Sequence, residues 1–134
     1  MFTLTAAQKA QLLENGRKDF SGDHVPVVKL FVAVGAHTWL LSALDPDEPD
    51  IAWCIADLGF GCTEAGTVSL FELQSIKVGL IRVEVDQHFD PKGHRLYEFY
   101  RAAQPHQSLI AGIRDVLAGP ASDGSSDGGG ESDA

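Results

Sequence analysis

Residues 27–44 are VVKLFVAVGAHTWLLSAL, two apolar segments parted by a single glycine. From Val27 to Val34 the residues are β-branched or aromatic except at Lys29, Leu30 and Ala33, which favours a strand over a helix. Gly35 and Ala36 supply a turn. His37 to Leu44 then runs apolar on both faces, with Trp39 and Leu41 on one side and Leu40 and Leu44 on the other, the pattern of an interior strand. The two segments form a hairpin.

After that hairpin, Asp45 to Asp50 (DPDEPD) cannot extend a strand. Two prolines remove ladder donors, and four carboxylates repel one another, so an exposed loop is expected. Ile51 to Leu58 resumes the apolar run. Gly59 and Gly61 bracket Phe60 in a tight turn, with Phe60 expected to fold back onto the core, and Thr63 to Val68 returns as a fourth strand. Ser69 and Glu72 carry a capping-box signature for a short helix from Leu70 to about Ile76. Leu80 to Asp86 alternates Ile81, Val83 and Val85 with Arg82, Glu84 and Asp86, a half-buried strand near a sheet edge.

Helices flank this sheet in the sequence. Thr5 and Gln8 form a capping box for a first helix with Leu12 and Leu13 on its apolar stripe, and Asn15 with Gly16 is read as its stop, followed by a loop to Pro26. Leu96, Phe99, Tyr100 and Ala103 recur at helical spacing before Pro105, which is expected to end that helix. Leu109, Ile110, Ile113, Val116 and Leu117 repeat the spacing up to Gly119 and Pro120. The expected fold is thus α+β, a mainly antiparallel sheet of about five strands with three or four helices packed on it, in one domain over residues 1–119.

Residues 120–134 hold four Gly, four Ser and four acids with no base, too little apolar surface to offset the cost of ordering, so a disordered acidic tail is expected. The 134-residue chain has 19 acids against 10 Lys and Arg, a formal charge of -9; without the four tail acids the balance is 10 minus 15, or -5. Two cysteines cannot build a disulfide scaffold, and no apolar stretch approaches the ~20 residues of a membrane span, so a cytoplasmic protein without membrane contact is expected.

Several strings in order, AQLLENG in the first helix, VVKLF in the first strand, then TWLLSALDPDEPD, DLGFG and VSLFEL, resemble an uncharacterised family of small bacterial proteins, domain of unknown function 2958. The resemblance covers about Leu4 to Ala103. It implies a bacterial protein, often carried on plasmids and other mobile genetic elements, and brings no catalytic residues with it. The hairpin after DLGFG departs from the family's pattern, with Cys62, Thr63 and Thr67 where a proline and an aromatic residue are usual.

Among chemistry-bearing residues, His88 and His94 flank a turn with Asp86 and Asp90 close by, a set of types that binds zinc or another divalent metal. A His pair in a charged turn is more simply surface decoration, so no cofactor is expected, and a divalent metal on these four residues is the alternative. The run Asp45, Asp47, Glu48, Asp50 lacks the sixth-position Gly of a calcium loop. Cys54 reads as a small core residue, and Cys62 is a thiol without an assigned base. Gly59-Phe60-Gly61 lacks the Lys-Ser/Thr of a phosphate loop. The ten basic residues are dispersed, the densest group being Lys92, Arg95 and Arg101, and an acidic total opposes direct nucleic-acid binding. The expected function is that of an accessory or binding protein acting through protein contacts rather than an enzyme. A metal-assisted hydrolase using His88, His94 and the nearby carboxylates is the alternative, and a direct nucleic-acid binder the third reading.

Overall fold

A computed structural model describes residues 1–122 of the chain. The expected tail therefore lies, from residue 123 onward, outside the described residues. In chain order the elements are α1 (Ala6–Asp19), β1 (Val28–Val32), β2 (Thr38–Leu44), β3 (Ile51–Asp57), β4 (Thr63–Ser69), α2 (Leu70–Gln74), β5 (Lys77–Val78), β6 (Ile81–Val85), α3 (Leu96–His106) and α4 (Leu109–Ala118). The fold is α+β, with one antiparallel sheet in the order β4-β3-β2-β1-β6-β5. The sixth strand beyond the five expected is the two-residue β5, too short to leave a periodic signature.

Helices cover both faces. Leu12 of α1 and Leu73 of α2 pack with Val28, Leu30, Trp39, Leu41 and Cys54 on one side, joined by Phe2 and Leu4 of the N-terminal segment. Leu96, Phe99 and Ala103 of α3 and Leu109 and Ile113 of α4 pack with Leu40 and Ile55 on the other. Burial on both faces is why β2 reads as a continuous apolar run: all seven of its residues are buried.

Three local expectations are corrected. Leu44 joins the Trp39 and Leu41 face, not that of Leu40, because the β2–β3 register shifts between Leu41 and Ala43; the extra residue, Ser42, turns the strand's alternation over. α1 does not stop at Asn15 and Gly16 but runs on to Asp19. Those two residues are where the helix docks: the Asn15 side-chain amide donates to the Ser42 carbonyl at 2.9 Å, and a Cβ on Gly16 would stand 1.8 Å from the Leu44 carbonyl oxygen. Pro105 lies within α3, which ends one residue later with Gln107 in the left-handed conformation. Pro105 sits in the last turn, so the helical bond it cannot make to the Arg101 carbonyl falls at the end of the helix, with no further turn beyond it to distort.

No helix among the described residues is long and apolar enough to cross a membrane.

Candidate functional site

Asp86, His88, Asp90 and His94, the candidate metal set, lie in the segment between β6 and α3. Asp86 follows β6, where one carboxylate oxygen accepts from Lys29 Nζ at 3.1 Å and the other from the His88 backbone N–H at 2.9 Å. Burial alone would raise the Asp86 carboxyl, but the His88 N–H and the Lys29 ammonium outweigh it and hold it below the ordinary aspartate range. Asp90 accepts from the Lys92 N–H at 2.9 Å, closing the turn. His88 is exposed. His94, in the turn before α3, is directed to a carboxylate of that helix: Nδ1 lies 2.9 Å from Glu98 Oε2 and Nε2 3.0 Å from the Pro120 carbonyl, while the ring stands edge-on to Phe99. Glu98 is opposed by burial yet lowered overall by the Arg95 N–H and by His94, so it too is a carboxylate at neutral pH and not a proton donor. Among the described residues no three His, Cys, Asp or Glu side chains come together as a metal set.

The cysteines separate as their sequence contexts imply. Cys54 is buried in β3 and its thiol is pushed up to about 12 by desolvation, which leaves it a neutral core group. Cys62 is exposed, with its Sγ 4.0 Å from a carboxylate oxygen of Glu64.

In the DPDEPD loop, Asp45 accepts from the Asp47 N–H at 2.9 Å, and Asp50 accepts from the Phe71 N–H at 2.8 Å and from the Ser69 hydroxyl. Asp50 thereby fastens the loop to the start of α2. Asp47 and Glu48 remain exposed.

One polar residue at the far end of the sheet escaped the reading of the sequence. Asp57 is 1% exposed; its carboxylate accepts from the Gly59 N–H at 2.8 Å and from the Leu109 N–H at 3.0 Å, so the aspartate of DLGFG caps α4 from another element. The Asp–x–Gly turn signal was present, but the helix it caps is 52 positions away. Thr38 and Thr63 flank Asp57 on the neighbouring strands and are buried with it.

The surface that stands apart is β4 and its surroundings. β4 is a sheet edge, with Ala65 and Thr67 exposed. Its unused backbone groups can be assigned. The Ile51 carbonyl accepts from Asp45 and the Trp53 carbonyl from the Ser42 hydroxyl, so the odd positions of β3 face β2. Ala52, Cys54 and Ala56 then face Val68, Gly66 and Glu64, and the N–H and C=O groups of Thr63, Ala65 and Thr67 point away from the sheet. Of these, the Thr63 carbonyl accepts from the Gln104 side chain at 3.4 Å.

Phe60 lies in the turn before β4 and is 83% exposed, and Phe71 just after it is 78% exposed. The expectation that Phe60 folds back is thus overturned: Gly59 and Gly61 adopt φ of +84° and +85°, and the turn they make carries the ring outward. From Asp45 to Ile76 the chain has seven acids and no Lys, Arg or His, so β3, β4, α2 and their loops form a flank of one charge sign.

A family model described as "Protein of unknown function (DUF2958)" matches residues 3–110 of the chain. No curated protein and no solved structure matches it.

Proposed function

The chain belongs to the DUF2958 family, and we propose that it is an accessory binding module that works through protein contacts on the flank formed by β3, β4 and α2. The observation that carries this reading is the pair of phenylalanines, Phe60 and Phe71, left in water at either end of an open edge strand. Each ring forgoes a few kcal/mol of burial in the free protein, which a partner surface would recover. Aromatic anchors of this kind carry most of the energy in protein interfaces. The acidic surroundings select partners by charge and speed their encounter more than they add affinity. The resemblance to a bacterial family carried on mobile elements supports a host or plasmid protein as the partner, and the two free thiols suit a reducing cytoplasm.

The test compares full-length tagged protein with a Phe60→Ser/Phe71→Ser double variant as bait in extract of the native host. Because both rings are exposed, the variant should melt at the parent temperature. The parent chain is expected to recover the same protein repeatedly, with recovery falling by about tenfold or more in the variant. Equal recovery by both baits, or no reproducible protein with the parent, would remove this reading.

A further inference from the structure

We infer that β4 takes up an extended, Lys- or Arg-bearing segment of a partner protein as an added strand. This rests on the protein-contact reading and specifies the partner's chemistry.

Four observations converge on it. The outward N–H and C=O groups of Ala65 and Thr67 have the spacing a new strand pairs with, and main-chain bonding of this kind supplies affinity that is largely independent of sequence. Edge strands are ordinarily guarded by proline, by lysine or by a covering element, and β4 (TEAGTVS) has neither residue, its one charge being Glu64. Gly66 leaves a gap in the strand's surface: a Cβ there would meet nothing within 4 Å, and a cavity of about 190 Å³ opens beside it over Trp39, Cys54, Ala56 and Leu58. An added strand presents alternate side chains, and one apolar side chain of the incoming segment fits this recess.

The fourth observation fixes the charge. The absence of any base from Asp45 to Ile76, with Asp47, Glu48, Asp50, Glu64 and Glu72 exposed, gives the flank a negative field along its whole length. A second copy would bring two such flanks together, whereas a basic segment neutralises one. Phe60 and Phe71 bracket the strand, so the segment they embrace is about seven residues, the length of β4.

The experiment uses the full chain and three synthetic peptides: one of alternating valine and lysine, one with glutamate in place of lysine, and the lysine peptide with N-methylated backbone. Affinity is read by fluorescence anisotropy at two salt concentrations, and the site by amide exchange in NMR spectra. The lysine peptide is expected to bind, more weakly as salt rises, and to slow exchange of the Ala65 and Thr67 amides; the other two peptides are expected not to bind. Thr67→Pro removes an N–H that β3 does not use and should fold normally while weakening binding about tenfold. Gly66→Val, which fills the recess beside an undisturbed ladder, should do the same.

Absence of lysine-peptide binding, equal binding of the glutamate or N-methylated peptide, or protection elsewhere on the surface overturns the inference. Concentration-dependent protection of Ala65 and Thr67 without peptide, with that of Ala65 lost in Thr67→Pro, assigns the edge to a second copy and overturns it as well. If the peptides fail while host-protein recovery still depends on Phe60 and Phe71, strand addition falls and the binding module stands; if both fail, both fall.

Discussion

Gly16→Ala is expected to destabilise the protein by about 3 kcal/mol, although alanine is the better helix former by about 1 kcal/mol. The sign is set by packing. The new Cβ would lie 1.8 Å from the Leu44 carbonyl oxygen and 3.3 Å from Cδ of Pro46, and the first of these is a backbone atom of a buried strand that cannot swing aside. α1 must lift, which stretches the 2.9 Å bond from Asn15 to the Ser42 carbonyl and pulls at Leu12, wholly buried beneath the helix. Urea unfolding of the parent and the variant measures the difference directly. A variant as stable as the parent would mean that α1 does not rest on the end of β2.

Phe99→Ala should cost more, about 3 to 5 kcal/mol, the range for truncating a buried aromatic ring. Phe99 is completely buried on α3 and belongs to the cluster of Leu40, Ile55, Leu109 and Ile113, with the Phe89 and His94 rings at centroid distances of 6.2 and 6.3 Å. Collapse around the void is limited because β2 and β3, which form its floor, are also held from the opposite face by α1 and α2. One cooperative transition is therefore expected to shift as a whole in calorimetry. Loss of less than about 1 kcal/mol, or a split transition, would show that the α3–α4 face is not integral to the core.

The sheet was legible because its strands carry signals that depend only on neighbours: a β-branched run in β1, continuous apolar runs in β2 and β3, turn glycines at Gly35, Gly59 and Gly61, and prolines in the loop after β2. Gly16 was misread for a physical reason, since a glycine that lets a helix end and one that lets a helix approach another backbone look the same in one dimension. Ser42 shows the same limit. A bulge reverses every later side chain in its strand, and its sequence resembles an ordinary small residue.

The candidate site was partly legible in the same way. The acids from Asp45 to Glu72 are plain in the sequence, but they become a flank only once β4 is known to be the sheet's edge. Asp57 gave a turn signal and no hint of α4, because caps made by a distant element leave no spacing to read. His88 and His94 share a turn in the sequence, yet His94 spends both ring nitrogens on Glu98 and Pro120.

Whether β4 is an open edge in the free protein is read by amide exchange in dilute, peptide-free solution. Glu64, Gly66 and Val68, whose N–H groups face β3, are predicted to exchange slowly, and Ala65 and Thr67 fast, in strict alternation and at rates independent of protein concentration. Protection of Ala65 and Thr67 equal to that of Gly66 would contradict it, for the edge would then be covered by the protein's own chain.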